Sequence, residues 1–401
     1  MAVYKIFPEK DATLYTEFPN RNTGLDQILE ANTYQADGLG QVSRYVVKFS
    51  DSDITNVIDN KIGTGKSEWI AYLRNYHAVV TGLNLDSELE FYPVAGNWGM
   101  GTGKFNDSPQ VTNGVSWNFI NYSGSAAEGA ILWPVDGFAT FVTASFSGSI
   151  TGVAAGGGNW YTGSNLSALN DGALDPITQS QTFTYANPKD ILVDVKNTVE
   201  TWYSYSLDSG NGFANQGFLV KQPESKEFIR TKANTRSFKY FSIDTNTIYP
   251  PELEFRWNDF VFDTGSSTNT VLPQVESFIS VFNNQGTYYS ESIPRLRFAA
   301  MPKYPDRVFL TASLYTTNFY LPESHSLYAV KDTETNEFVI DFDSDYTRIS
   351  ADATSSYFDL YMNGLEPERY YTILVKTTID GTTKVFDENI MFKVANGWVK
   401  M

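Results

Sequence analysis

Period-two alternation is the pattern that most narrows what this chain can become. Leu253, Phe255 and Trp257 alternate with Glu252, Glu254 and Arg256, and Ile191, Val193 and Val195 share one face while Asp194 takes the other. Such a run offers one apolar face as a strand and no continuous stripe as a helix. Long helical stripes and heptads are scarce, whereas 28 Phe, 25 Tyr and 8 Trp supply the side chains that favour strands. With 401 residues the chain can bury two or three cores. The expectation is an all-β protein of two or three β-sandwich domains.

Charge and composition then exclude function classes. A formal charge of −17 and a pI near 4.6 argue against nucleic acid, which is gripped by clustered Lys and Arg, and against docking on anionic lipid. Cysteine is absent and the histidines are His77 and His325, so thiolate and histidine-rich metal sites are excluded within one chain. No stretch of about 20 apolar residues could span a bilayer, so no membrane insertion is expected. The opening Met1-Ala2-Val3-Tyr4-Lys5-Ile6-Phe7-Pro8 lacks the charged and apolar regions of a signal peptide.

Between Asp190 and Lys221 an apolar strand, an amphipathic turn, a polar loop and a second apolar strand follow one another. Val199 and Trp202 are three apart, which predicts a brief helical cap plugging Trp202 into the core. Gly217-Phe218-Leu219-Val220-Lys221 returns as a strand. Upstream, short strands from Tyr4 to Phe49 break at Pro19 to Gly24 and at Asp37 to Gly40. One or two helical turns follow, capped by Asp51 or Ser52, and then strands from Glu68 to Leu73 and from Ser87 to Pro93. From about residue 96 to 182, Gly, Ser, Thr, Ala and Asn dominate. Gly156-Gly157-Gly158 reads as a free hinge, and Trp98, Trp117, Trp133 and Trp160 are spread through the stretch. A loop that long needs internal hairpins, expected around Phe138 to Phe146. Its tryptophans are either a binding platform or pegs that pin the loop to a sandwich.

The motifs, taken in order, resemble a known family. Asp11-Ala12-Thr13-Leu14-Tyr15, Asn22-Thr23-Gly24-Leu25-Asp26, Arg44-Tyr-Val-Val-Lys48-Phe49, Ala71-Tyr72-Leu73, Trp98-Gly-Met-Gly101-Thr102-Gly103, Gly114-Val115-Ser116-Trp117, Asp194-Val195 with Val199 and Trp202, Gly217 to Lys221, and Pro251 to Phe255 look like successive landmarks of the DNRLRE domain. That resemblance implies a jelly-roll or carbohydrate-binding-module-like β-sandwich over residues 1–259, with the loop-rich stretch as an insertion. Such domains occur in secreted adhesins and in tailed-phage virion proteins. Asp263-Thr-Gly-Ser-Ser-Thr-Asn has linker composition and places the boundary near Asp259. Beyond it, strands at Val275–Phe282, Arg295–Phe298, Leu327–Val330, Phe338–Phe342, Tyr357–Met362, Arg369–Thr377 and Lys384–Val394 predict an immunoglobulin-like sandwich over 260–401. Leu365-Glu-Pro367-Glu-Arg-Tyr370-Tyr371 is similar to the Leu-x-Pro-x-x-Tyr corner of fibronectin type III-like domains.

Candidate chemistry is thin. Gly63-Thr64-Gly65-Lys66-Ser67 ends like a phosphate-binding loop, but Asn60 stands where that motif needs Gly, and no strand–loop–helix context surrounds it. Glu88, Glu90, Glu128, Asp136, Asp194, Glu200 and Glu254 could be proposed for glycoside hydrolysis, yet most sit on strands whose outer face must be polar anyway. Neither His77 nor His325 is near a nucleophile elbow. Asp341, Asp343 and Asp345 are clustered oxygen donors that could take calcium, or a solvated turn. Neither catalytic nor cofactor residues are therefore expected. The resemblance implies a non-enzymatic virion structural protein of a tail, baseplate, neck or capsid decoration, in contact with other virion proteins and copies of itself. Assembly in the host cytoplasm reconciles an exterior-type composition with the missing export signal. The alternative is a carbohydrate-binding adhesin that stacks host surface glycan on Trp117, Trp133 or Trp160.

Overall fold

Extended backbone forms in most of the segments whose alternation predicts it, although the strand expected over Tyr357–Met362 runs from Ser356 to Asp359 and gives way to a short 3-10 turn at Met362–Gly364. The computed structural model describes residues 2–36, 39–81, 86–122, 130–133, 156–161, 177–209, 212–223, 225–227, 236–304 and 319–397. In these the chain is all-β, with several sheets of chiefly antiparallel strands and few helical residues. The expected hairpins around Phe138 to Phe146 lie outside the described residues.

In chain order the strands are β1 (Ala2–Ile6), β2 (Pro8–Tyr15), β3 (Ile28–Glu30), β4 (Thr33–Ala36), β5 (Leu39–Phe49), β6 (Trp69–Asn75), β7 (His77–Thr81), β8 (Ser87–Pro93), β9 (Phe119–Tyr122), β10 (Ala130–Leu132), β11 (Gln179–Phe183), β12 (Ile191–Asp194), β13 (Phe218–Lys221), β14 (Ser237–Phe241) and β15 (Glu252–Trp257). They continue as β16 (Ser277–Val281), β17 (Thr287–Tyr289), β18 (Arg295–Pro302), β19 (Ser326–Asp332), β20 (Phe338–Ile340), β21 (Ser350–Ala351), β22 (Ser356–Asp359), β23 (Tyr370–Ile379) and β24 (Thr382–Ala395). Among the described residues two α-helices interrupt them, α1 (Asp51–Asn56) and α2 (Lys196–Leu207).

The chain divides into two units. One comprises Ile6–Thr64 and Ile70–Glu254, the other Met1–Lys5, Gly65–Trp69 and Phe255–Met401. The division thus runs through β15, upstream of Asp259, and Val3 belongs to the core of the second unit.

In the first unit the main sheet has strand order β11-β8-β13-β5-β2, with β4 added on β5. β14 lies between β3 and β7, and β9 and β10 form a hairpin. α2 is longer than the brief cap expected. Val199 and Trp202 are buried as predicted, with the Trp202 ring 4.8 Å from Phe218. Thr198 and Thr201 are buried too, their hydroxyls donating to the Ile177 and Asn197 carbonyls at 3.1 and 2.8 Å. Part of the inward face is thus threonine, which carries no hydrophobic signal. α1 starts one residue earlier than expected, because the Ser50 hydroxyl accepts the Asp53 N–H, and the chain continues as a wide π-helical turn to Gly63. The alternation of β15 predicted a half-buried strand, yet Glu252 and Glu254 are buried as well. The chain just before and after Asn75 supplies their partners: Arg74 Nη1 is 3.3 Å from Glu254 Oε2, and the Tyr76 hydroxyl donates to Glu252 Oε2 at 3.3 Å.

In the second unit, one sheet has strand order β16-β18-β22-β21 and the other β17-β24-β23-β19-β20. Ile279, Leu296 and Phe298 from the first and Tyr328, Ile373 and Phe392 from the second share one core, a general sandwich-type arrangement. The turn between β23 and β24 is Asp380-Gly381, both at positive φ (49° and 76°), the two-residue hairpin geometry that such a pair favours. The segment of linker composition is tied down: Val261 and Asp263 bond both ways with Ala351, at 2.9 and 3.0 Å. Near the Leu-x-Pro-x-x-Tyr motif, Tyr370 is exposed and Tyr371 is buried, its hydroxyl donating to the Glu366 carbonyl at 3.0 Å.

Candidate functional site

β13 is buried on both faces, so the two sets of its side chains meet different partners. Phe218 faces Trp202, whereas Leu219 joins Val46, Leu14 and the tryptophans of the insertion. Alternation puts Arg44 of β5 on the same face as Val46, and Lys221 of β13 on that of Leu219. Two cations therefore point into an apolar layer, where unpaired charge would be prohibitive.

Pairing resolves this. Arg44 donates Nε to Glu227 Oε1 at 2.9 Å and Nη2 to Oε2 at 2.7 Å, a bidentate bond in which both side chains are sealed from solvent. Its Nη1 donates to the Gly157 carbonyl at 2.9 Å. Lys221 Nζ lies 3.1 Å from Glu90 Oε2, its register partner on β8, and 3.7 Å from Glu227 Oε2. The guanidinium sits 5.0 Å from the Trp117 ring centroid and 5.4 Å from that of Trp160, so the indole faces are occupied by a cation.

The insertion tryptophans are part of this layer. Trp98, Trp117, Trp133 and Trp160 are each 1–2 % exposed. Trp98 Nε1 donates to the Gln216 carbonyl at 2.9 Å and Trp133 Nε1 to that of Ser116 at 3.0 Å. Trp160 pairs with Val94 as a one-residue bridge, supported by Ala95 N–H to Asn159 O (3.0 Å) and Tyr161 N–H to Pro93 O (2.9 Å). None of Trp117, Trp133 and Trp160 offers an open ring to a sugar in this arrangement; the rings anchor their loops. Nor are Gly156 to Gly158 a free hinge. A Cβ on Gly157 would lie 2.6 Å from the Trp117 ring, and one on Gly156 would lie 2.6 Å from the Trp117 carbonyl oxygen. The glycines are where backbone packs flat on an indole.

At the rim, burial and then the adjacent Lys48 push the Lys10 ammonium down to about 8. That group donates to the Trp98 carbonyl and lies 4.5 Å from the Trp98 ring centroid. Two sequence landmarks also prove to be one construction. The buried Asn22 amide donates to the carbonyls of Met100 (2.7 Å) and Val115 (2.8 Å), while its oxygen accepts the N–H groups of Gly24 (3.2 Å) and Gly103 (2.8 Å). A Cβ on Gly24 would lie 2.2 Å from Met100 O, and one on Gly101 would lie 2.3 Å from Asn22 Oδ1. The Asn-x-Gly turn and the Trp98 to Gly103 tract require these residue types because each fills the other.

Other candidates scatter. The tract Gly63 to Ser67 leads from a helical turn into β6, the reverse of the strand–loop–helix order of a phosphate loop. His77 Nδ1 lies 2.7 Å from Asp190 Oδ1 on a partly exposed surface. Of the proposed carboxylates, Glu90 and Glu254 each face a cation, Glu200 pairs with Lys196 one helical turn away, and Glu128 and Asp136 lie outside the described residues. Asp343 Oδ1 accepts the N–H groups of Asp345 (2.7 Å) and Tyr346 (3.0 Å), and its other oxygen is 3.5 Å from Arg256. Asp341 accepts the Phe342 N–H and Asp345 lies 3.7 Å from Arg348, so Asp343 caps its own turn, and Asp343 and Asp345 each meet a guanidinium group. Among the described residues no group of three or more His, Cys, Asp or Glu is arranged to hold a metal ion, and no helix is long and apolar enough to cross a membrane.

The Arg44–Glu227 pair escaped the sequence reading, since its members are 183 residues apart. The available signal was a charged residue in phase with the apolar ones, at Arg44 and again at Lys221. In comparisons with known proteins, no family model matches the chain and no curated relative is found.

Proposed function

We propose that this chain is a non-enzymatic structural protein of a tailed-phage virion, a tail, baseplate, neck or capsid-decoration component that works by contact with other virion proteins and with copies of itself. Its first unit is read as a DNRLRE-type, jelly-roll-like sandwich, supported by the mutual packing of Asn22 to Gly24 with Met100 to Gly103. Its second is read as immunoglobulin-like, supported by the buried Tyr371, whose hydroxyl reaches back five residues to Glu366 as in a tyrosine corner.

The observation that carries a contact function is the outer face of the β16–β18 pair. Phe278 and Met301 are cross-strand partners there, 53 % and 45 % exposed, and Phe282 follows in phase at 54 %. An apolar row on the solvent side of a sheet marks a surface that another protein covers. A charge of −17 keeps free copies apart until apolar contacts of this kind are arrayed. Meanwhile the conspicuous tryptophans and ion pairs support architecture. Crosslinking mass spectrometry on purified particles tests the reading. Crosslinks from Lys303, beside this row, to a neighbouring virion protein are expected. Absence of the chain from particles, or a sugar-specific glycan-array signal abolished by one aromatic→Ala substitution, would overturn it in favour of the adhesin.

A further inference from the structure

We propose that Asp11 is a proton-operated latch: carrying its proton it holds the loop at Ile243 against β2, and rising pH loosens that loop. Asp11 is 1 % exposed, yet it is a carboxyl group inside the first unit with no cationic partner among the bonds it makes. Its Oδ2 accepts the Ile243 N–H at 2.7 Å, and its Oδ1 is buried with no hydrogen-bond partner. A carboxylate so placed forfeits hydration at one oxygen, and the neutral acid forfeits far less.

Apart from the Ile243 N–H, the neighbouring groups disfavour the anion or are indifferent to it. From the loop itself comes Asp244, whose Oδ2 is a second buried oxygen without a partner. From the turn after Asn22 comes Asp26, tied to the same loop because the Ser242 hydroxyl donates to its carbonyl. From β5 comes Tyr45, fully buried, with its hydroxyl accepting from Asn75 at 3.0 Å. Lys104 acts on Asp26 and Asp244, and Glu30 adds negative charge near Asp26. Burial, then Asp244 and Asp26, push the Asp11 carboxyl up to about 8 against the opposing effect of the Ile243 bond. Burial likewise raises Asp26 and Asp244.

The sign follows from proton linkage. An opened loop returns Asp11 to the ordinary carboxyl value of 3.8, so between 3.8 and about 8 the closed form holds a proton that the open form has released. Each pH unit in that window raises the opening constant by up to about tenfold, and above it the dependence ends. The loop matters because Ser242 N–H also donates to the Gln27 carbonyl at 3.1 Å, so Ile243 braces the turn that carries Asn22 and its glycine tract.

Hydrogen exchange of the full chain, followed by mass spectrometry on peptides covering 242–247 and corrected for intrinsic exchange, tests this. In the wild type, protection falls by up to about tenfold per pH unit from about pH 5 to pH 8; in Asp11→Asn, a neutral isostere, it stays flat. Should that variant not fold, Asp244→Asn carries the test, and its pH-dependent window ends lower than in the wild type. Equal pH dependence in all three, or a wild-type profile flat from pH 5 to 8, overturns the proposal. Calcium chloride restoring protection at pH 9 in the wild type also overturns it, because the acidic cluster would then take a cation in place of a proton.

Discussion

Glu227→Gln keeps the shape of the side chain and removes the negative charge between Arg44 and Lys221. In the native layer the carboxylate accepts at 2.9 and 2.7 Å from Arg44 and lies 3.7 Å from Lys221, with all three side chains at 0–1 % exposure. Removing one partner of a buried pair costs about 3–5 kcal/mol, because the surviving charge stays out of water. Lys221 retains Glu90 at 3.1 Å, so only Arg44 is stranded, which places the expected loss near the lower end, about 3 kcal/mol. At about 2–4 °C per kcal/mol for a unit of this size, calorimetry of the full chain should show the first unit's transition falling by about 6–12 °C. The second unit's transition should not move. Arg44→Met in the Glu227→Gln background should recover part of the loss, since the buried cation is gone. It should also change the tryptophan emission, because the guanidinium lies 5.0 and 5.4 Å from the Trp117 and Trp160 rings. A single-variant loss below about 1 kcal/mol, or a double variant whose loss equals the sum of the two singles, would refute the argument that pairing makes these charges tolerable there.

Gly157→Ala should lower the urea midpoint of the first unit by the equivalent of about 2–4 kcal/mol, since it combines a φ of 78° with a Cβ 2.6 Å from the Trp117 ring. Gly65→Ala, at a φ of 94° with open space around it, should cost only about 1 kcal/mol, and equal losses would contradict the packing account. Asn22→Ala removes two donated and two accepted bonds at a fully buried position and should cost about 3 kcal/mol by the same measurement. In the second unit, Arg297 holds the Asp352 carboxyl below the ordinary 3.8, and Arg369 does the same for Asp332 against the raising effect of burial. Stability from depressed carboxyls is present above 3.8 and lost as pH falls through their folded values, so the second unit's melting temperature should drop below about pH 4. Asp352 and Arg297 are partly exposed, which holds that contribution below about 1 kcal/mol, whereas Asp332 is 2 % exposed and carries the larger share; a transition unchanged between pH 5 and pH 2.5 would count against both.

The strands were legible because alternation is local. β12, β13, β15, β16, β18, β19, β20, β22, β23 and β24 lie where the local pattern of apolar residues predicts strands, and the short β17 and β21 were missed because two or three residues carry too little pattern. α2 was foreseen only at Val199 and Trp202, the two apolar members of an inward face that also contains Thr198 and Thr201. The glycine and tryptophan tract was conspicuous in composition, but whether its rings faced water or core could not be read from spacing, because that depends on what lies above them.

The chain's own order of residues determined which segments extend, where they turn, and that no cysteine or histidine cluster could organise a site. Only the tertiary structure decided what its unusual residues do. Glu227 neutralises Arg44 across 183 positions of sequence, Asn22 fills the gap left by Gly101 and Gly103, and Ile243 meets a carboxyl 232 positions away. The physical reason is that a charge, an amide or a missing Cβ carries no information about its partner. Its effect is set by the dielectric and the neighbours around it, and those exist only once distant strands have closed over one another.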